Sequence, residues 1–175
     1  VERYSSEHSN SFNRNNVISE HGADSMGLIL SFMGPLDRDK PWTEEGVSGV
    51  HRFLKRVWSL FLTEDGALHP RVVPEGGDAA IVKELHKTIK AVTHDYEHLL
   101  FNTAIARMME FVNAALRAEA IDRAALETFL LLLAPAAPHI AEELWRRLGH
   151  ADTLAYAPWP DRSEEHTSEL QSRQS

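Results

Sequence analysis

Residues 47–61, VSGVHRFLKRVWSLF, carry a strong helical pattern. The apolar side chains of this stretch recur at steps of three and four residues and occupy a sector of about 100° around a helix; they are Val47, Val50, Leu54, Val57, Trp58 and Phe61. Arg52 and Arg56 project from the opposite side, with Lys55 on the flank. Thr43 is a candidate N-cap before this segment. The pattern predicts an amphipathic helix with one buried face and one basic face.

Further segments on both sides of this stretch show the same helical period. Residues 15–32 read as a helix that ends before Met33-Gly34-Pro35, because proline cannot continue a helical turn. Asp78, Asn102 and Asp122 are candidate N-caps of three later helices, and Pro138 is placed to begin a last helix that ends near Gly149. The predicted apolar stripes of these four helices are Ile81, Leu85, Ile89, Val92, Tyr96 and Leu99; Ile105, Met108, Met109, Val112 and Leu116; Leu126, Phe129, Leu130 and Leu133; and Ile140, Leu144 and Leu148.

No segment alternates between apolar and polar residues over a useful length, so the predicted fold class is all-α, a helical bundle with a shared core. The length of 175 residues corresponds to about one domain. A net charge of −8 excludes a basic field over the whole chain, and the lack of cysteine excludes disulfides and thiolate metal sites. No apolar run approaches the length of a membrane span, and no signal peptide is visible, so we expect a cytoplasmic protein.

Catalytic motifs are not visible in this sequence. It has no glycine-rich phosphate loop and no nucleophile elbow, and spacing alone nominates no carboxylate pair for acid–base chemistry. We therefore predict no catalytic residue within the chain. His139 follows Pro138 at the start of a helix, where capping or local packing is the expected role.

His94 and His98 are spaced four residues apart, as zinc-binding histidine pairs are. No further ligand stands out on another helix, so two exposed histidines on a solvated face are the favoured interpretation and no metal is predicted. A metal-binding bundle built around this pair is the alternative, and it predicts zinc uptake that is abolished by His94→Ala.

Basic side chains form two stripes on the predicted helices. One stripe is Arg52, Lys55 and Arg56, the other is Lys83, Lys87 and Lys90, and Arg107 and Arg117 could extend them. Such stripes are often no more than the charged outer face of a helix in water. They would also suit contacts to RNA phosphates, which position a nucleic acid without reading its sequence.

Six strings in order give the chain a family resemblance. They are Phe32-Met33-Gly34-Pro35-Leu36 with Lys40-Pro41-Trp42, then residues 49–58 (GVHRFLKRVW), 86–90 (HKTIK), 101–106 (FNTAIA), 133–145 (LAPAAPHIAEELW) and 157–160 (APWP). Together they resemble bacterial leucyl-tRNA synthetase, a class I aminoacyl-tRNA synthetase, over about residues 15–161.

The resemblance implies the end of the catalytic region followed by the helical anticodon-binding domain. In the family this domain docks on tRNA largely by shape, so the basic stripes become candidate contacts with tRNA(Leu). The full enzyme would attach leucine to its tRNA using ATP with Mg²⁺, and its nucleotide-binding fold, HIGH signature and editing domain are expected upstream as partners of this segment. Neither DNA nor a membrane is an expected partner.

The second catalytic signature of the family, Lys-Met-Ser-Lys-Ser, should fall at Arg3-Tyr4-Ser5-Ser6-Glu7. Only Ser5 agrees, Arg3 is a substitute of like charge, and the family's second lysine is replaced by Ser6. A hydroxyl cannot supply the cationic stabilisation of reacting phosphates. We therefore expect no intact ATP site and no ATP bound to this segment, and an inactive chain when it stands alone.

Three regions follow from these readings. Residues 1–41 are interpreted as a remnant of the catalytic-core end, residues 42–161 as the helical tRNA-binding domain, and residues 162–175 as a non-native tail. The tail reads RSEEHTSELQS at 162–172 and resembles a translated sequencing adapter; a solvated, disordered tail is the alternative. A surface near Phe32, Met33 and Trp42 is expected to be exposed where the catalytic core would have covered it.

A different function class remains open at this point. The chain could be a free-standing helical module that binds RNA or a protein partner and has no catalytic role. The sequence upstream of Val1 would separate the two hypotheses, because a ligase fragment needs a nucleotide-binding half before it.

Overall fold

The computed structural model describes residues 22–32 and 44–161. Six helices make up most of this part of the chain: α1 Ala23–Phe32, α2 Glu44–Phe61, α3 Ala79–Glu97, α4 Phe101–Ala115, α5 Arg123–Leu133 and α6 Pro138–Arg147. A short 3₁₀ turn, Leu154–Tyr156, follows α6. The predicted all-α class is confirmed.

The only strands in the described ranges are two residues long. Strand β1, Val72–Val73, pairs in parallel with β2, Ile121–Asp122, and joins the loop before α3 to the loop before α5. Two residues are too few for an alternating pattern, so sequence periodicity could not predict them.

One apolar core joins all six helices. Helix α4 packs against α1, α2 and α3, while α6 packs against α1, α2 and α5. Phe111 of α4 and Phe129 of α5 are fully buried and stack with ring centroids 5.0 Å apart. Burial of a side chain of this size contributes about 1.5–3 kcal/mol, so these contacts hold the bundle together.

Residues 47–61 lie in α2, but the buried face of this helix is turned slightly from the predicted one. Phe53 and Leu60 belong to the core, whereas Leu54 and Trp58 lie at its edge and are half-buried. Helix α2 packs against three helices, α1, α4 and α6, so side chains beyond the predicted stripe are buried as well.

Two predictions for the turn between α3 and α4 are wrong. Asn102 does not cap α4, because the helix already begins at Phe101 and Leu100 occupies the N-cap position without a side-chain hydrogen bond. Leu99 is not part of the buried stripe of α3: that helix ends at Glu97, and Leu99 has a φ of 57° and is 61% exposed.

The remaining predicted helix boundaries have mixed outcomes. Asp78 caps α3 by accepting from the Ala80 N–H at 2.9 Å, Pro138 begins α6, and Gly149 follows α6 with a φ of 98°. Asp122 sits at the N-cap of α5 but makes no capping bond, since its Oδ1 accepts from the Gly77 N–H at 2.7 Å. Thr43 and the start predicted for the first helix, residues 15–21, lie outside the described residues.

Candidate nucleic-acid interface

The outer face of α2 carries positive charges that no described carboxylate neutralises. Arg52, Lys55 and Arg56 are all exposed, while the opposite face of the helix is buried in the core. No acidic residue occurs between Gly46 and Leu62, and none of the three cations forms an ion pair with another described residue. Like charges three and four residues apart destabilise a helix slightly, so these three cations do not stabilise α2 through contacts with one another.

The outer face of α3 carries Lys83, Lys87 and Lys90, which are also exposed. Lys87 lies 3.6 Å from a carboxylate oxygen of Glu84, so part of its charge is compensated. Lys83 and Lys90 form no ion pair within the described ranges. This second basic face is therefore weaker than that of α2 but of the same kind.

The two basic faces lie on helices that each pack against α4 and make little direct contact with each other. The two arginines expected to extend the stripes are engaged locally. Arg107 lies 3.8 Å from a carboxylate oxygen of Glu110, and Arg117 Nε donates to the Asn113 carbonyl at 3.1 Å. Both remain exposed, yet neither is a free cation like Arg52.

Other arginines outside the predicted stripes have structural partners. Arg146 and Arg147 bind Glu143 at 2.6 and 2.9 Å, and these hydrogen bonds lower the pKa of Glu143. Arg123 Nε donates to Glu127 at 2.8 Å. A glutamate three or four residues away is the sequence signal for such pairing, and α2 has none beside its three cations.

Arg71 is held inside the fold rather than offered to a ligand. Its Nη1 donates to the Leu116 carbonyl at 3.3 Å, and its Nε donates to His69 Nδ1 at 3.0 Å. Partial burial, followed by the charge of Arg71, lowers the pKa of His69, which keeps this imidazole neutral and able to accept. This pairing was not predictable from the sequence, because it depends on a contact with the distant Leu116 carbonyl.

The histidines lie where their sequence positions suggested. His139 Nδ1 is 2.8 Å from Asp24 Oδ1 at the start of α6, so local packing and capping is confirmed for it. His94 and His98 stack on the surface of α3 with ring centroids 4.2 Å apart. In residues 22–32 and 44–161, no three His, Asp or Glu side chains converge into a metal site.

A shallow groove of about 290 Å³ lies between α5, α6 and the C-terminal segment, residues 153–161. Its walls are mostly apolar and include Leu131, Pro135, Pro138 and Trp159. The one acidic side chain there, Glu142, is already bonded to Thr153 and to the Leu154 N–H. This groove therefore offers no free polar group for catalysis.

Arg3, Ser5 and Ser6, which are interpreted as a remnant of the catalytic signature, lie outside the described residues. So do Met33, Trp42 and the tail at 162–175. Phe32 is 38% exposed and Leu30, also on α1, is 52% exposed. Within the described ranges, none of the helices combines the length and apolar character that a bilayer crossing needs.

Comparison with known proteins identifies a matching family and a similar solved structure. The model of the anticodon-binding domain of tRNA ligase matches residues 78–175. The fold is similar to the crystal structure of the ternary complex of Agrobacterium radiobacter LeuRS with tRNA and LeuAMS, with a TM-score of 0.71 and 28% identity over 88% of this chain. The chain spans 21% of the length of that protein. This chain belongs to the family of anticodon-binding domains of tRNA ligases.

Proposed function

We propose that this chain is the tRNA-binding part of a leucine–tRNA ligase and that it holds tRNA(Leu) through the basic face of α2. The observation that carries the proposal is the likeness to LeuRS in complex with tRNA over most of the chain. The uncompensated cations of α2 supply the chemistry, since phosphate contacts from Lys and Arg dominate the affinity for nucleic acids. A role of this kind belongs in the cytoplasm.

The basic face of α3 is a second, weaker contact in this proposal. Lys83, Lys87 and Lys90 extend along one side of α3, but the carboxylate of Glu84 reduces their net charge. Contacts from both faces would fix the orientation of a tRNA without reading its bases. The shape of the bundle, rather than a base-specific pocket, then decides which RNA fits.

The first experiment measures binding of fluorescently labelled tRNA(Leu) transcript to this chain by anisotropy. We expect saturable binding that weakens as salt is raised. A tRNA transcript for another amino acid is the control. Equal affinity for both transcripts would show that this segment binds tRNA without selecting tRNA(Leu), and absence of saturable binding would contradict the proposal.

Leucine activation belongs to the full enzyme in this proposal, with ATP and Mg²⁺ as its cofactors. Ser6 stands where the family has its second signature lysine, so a cation that would stabilise the reacting phosphates is missing. We predict that this chain alone gives no leucine-dependent exchange of pyrophosphate into ATP. Exchange above the background measured without leucine would overturn this prediction.

The alternative function is a free-standing helical module that binds RNA without serving a ligase. The surface near Leu30 and Phe32 distinguishes the two, because a ligase segment has a catalytic core to cover it. Co-expression with the nucleotide-binding half of a bacterial leucyl-tRNA synthetase tests this directly. Co-purification supports the ligase segment, and its failure while tRNA is still bound supports the free-standing module.

A further inference from the structure

The exposed side of α3 carries one row of side chains that continues beyond its lysines. Successive steps of four, three, four and four residues place the row within a sector of about 80° around the helix; its members are Lys83, Lys87, Lys90, His94 and His98. All five are exposed, and the row extends over about 22 Å of helix. The two histidines occupy its C-terminal end, His94 in the last turn of α3 and His98 at the C-cap.

The two imidazoles form a small, fixed aromatic surface. Their ring centroids are 4.2 Å apart and their planes are inclined by 23°, so the rings are stacked. His98 Nδ1 lies 2.7 Å from the His94 carbonyl oxygen and donates to it, since a carbonyl can only accept. This bond holds the His98 ring in place, so less conformational entropy is lost when a further ring stacks on the pair.

The row changes from charged to aromatic along its length. Lys83 and Lys90 form no ion pair within the described ranges, which leaves positive charge for phosphate groups. The C-terminal end of a helix carries a partial negative charge, and Glu97 is exposed beside the histidines. That end is therefore unfavourable for a phosphate, whereas the flat face of an uncharged base can stack on imidazole.

The turn after the histidines holds an apolar side chain in a strained conformation. Leu99 has a φ of 57° and is 61% exposed. Its N–H donates to the Tyr96 carbonyl at 3.2 Å. The Leu100 N–H donates to the Asp95 carbonyl at 2.7 Å, which completes the Schellman motif that ends α3. Glycine is the usual residue at this position, because a side chain is disfavoured at positive φ. Leu99 is not part of the core and instead enlarges the apolar surface beside His98.

We propose that His94, His98 and Leu99 receive an unpaired base of the tRNA, while the basic face of α3 holds the phosphates of the adjoining nucleotides. Proteins that bind single-stranded nucleic acid combine a positively charged track for the backbone with aromatic side chains on which bases stack. The inference rests on the proposed tRNA-binding function and adds a contact with a base to it. Every base has a flat face, so the site accepts an unpaired nucleotide without selecting a particular sequence.

Anisotropy of labelled tRNA(Leu) transcript tests the site with the double variant His94→Ala and His98→Ala. We expect this variant to bind about fivefold to a hundredfold more weakly than the wild type, the range expected for loss of one stacked base. The slope of log affinity against log salt concentration should stay the same, because no phosphate contact is lost. His86→Ala is the matched control, since His86 lies on α3 outside the row.

Two further double variants separate stacking from hydrogen bonding. His94→Phe with His98→Phe keeps a flat ring at each position and should restore the wild-type affinity. His94→Gln with His98→Gln keeps polar groups without a ring and should bind as weakly as the alanine variant. Circular dichroism shows whether each variant keeps its helices. Restoration by glutamine and not by phenylalanine would overturn the proposal.

Leu99→Gly separates binding from stability. Glycine relieves the positive φ, so we expect the Tm to rise by about 2–4 °C, while binding of tRNA(Leu) weakens because apolar surface beside His98 is lost. A lower Tm together with unchanged binding would show that Leu99 serves the fold and would contradict its place in the site.

The same titrations distinguish failure of this inference from failure of the proposed function. Equal affinity of the wild type and the alanine variant for tRNA(Leu) would overturn the stacking site and leave the proposed tRNA binding in place. Absence of saturable binding by the wild type would overturn the proposed function, and this inference with it.

Discussion

At the scale of single residues, Asp24 links the first and last α-helices of the described ranges, α1 and α6. Its carboxylate accepts from the backbone N–H groups of His139 at 3.1 Å and Ile140 at 2.6 Å, in the first turn of α6. The Asp24 side chain is only 10% exposed, and the residues it joins are more than a hundred positions apart. A carboxylate of α1 thus caps the N-terminus of α6, where its charge also complements the helix dipole.

Replacement of Asp24 should destabilise the bundle. We predict that Asp24→Ala lowers the free energy of unfolding by about 1–2 kcal/mol, because two N–H groups of α6 lose their acceptor. Urea denaturation followed by circular dichroism measures this change. Asp78→Ala is the comparison, since Asp78 accepts from one N–H of its own helix and should cost less. An unchanged midpoint for Asp24→Ala would show that water replaces the cap at no cost.

Gly77 and Gly49 differ in the space that the fold leaves for an added methyl group. A Cβ on Gly77 would lie 2.5 Å from the Asp122 backbone nitrogen, whereas one on Gly49 in α2 would meet nothing within 4 Å. We predict that Gly77→Ala destabilises the fold by about 1–3 kcal/mol. Gly49→Ala should stabilise it by about 0.5–1 kcal/mol, because alanine has the higher helix propensity. Thermal unfolding of the two variants checks both signs, and equal shifts would contradict the close approach at Gly77.

His69 should make stability depend on pH. Its pKa is lower in the folded chain than its ordinary value, first because of burial and then because of Arg71. The neutral form is therefore favoured by folding, so its contribution is complete above the ordinary pKa and is lost as the pH falls through the folded pKa. We predict that His69→Asn flattens the decrease in unfolding free energy below a pH of about 6.5. Urea midpoints measured across this range test it, and identical slopes for both chains would contradict it.

At the scale of secondary-structure elements, the C-terminal segment, residues 153–161, packs against the helical bundle. Trp159 Nε1 donates to Thr93 Oγ1 at 3.0 Å and its ring meets Tyr96 edge-on at 5.8 Å. Tyr96 in turn donates from its hydroxyl to the Leu132 carbonyl at 3.0 Å, and burial raises its pKa. Trp159 therefore fixes this segment to α3, Tyr96 links α3 to α5, and Glu142 of α6 accepts from Thr153 at the start of the segment.

The elements show what the sequence could predict and what it could not. The helices α2 to α6 follow from apolar spacing, because one buried face repeats along each of them. The exact start of α4 and the exposure of Leu99 did not follow, since a tight turn overrode the apolar pattern. The pairing of β1 with β2 and the Asp24 cap depend on contacts between distant residues, which leave no local signal.

At the scale of the whole molecule, an acidic chain presents a local basic face. The chain carries a net charge of −8, yet Arg52, Lys55 and Arg56 stand together without an acidic neighbour on α2. The sequence identified all three, because charge and helical spacing are local properties. It could not show that α2 and α3 each pack against α4 and make little direct contact with each other, because contacts between distant elements leave no local signal. Family membership and the likeness to LeuRS with tRNA then give the basic faces their proposed role.

The salt dependence of tRNA(Leu) binding tests whether the basic face of α2 contacts the tRNA. The measurement compares the wild type with the triple variant Arg52→Gln, Lys55→Gln and Arg56→Gln. Each phosphate contact contributes about 0.7–0.9 to the slope of log affinity against log salt concentration. We predict that the triple variant binds more weakly and has a slope smaller by about 2–3, whereas the control Arg146→Gln leaves the slope unchanged. An unaltered affinity and slope in the triple variant would show that the basic face of α2 does not contact the tRNA.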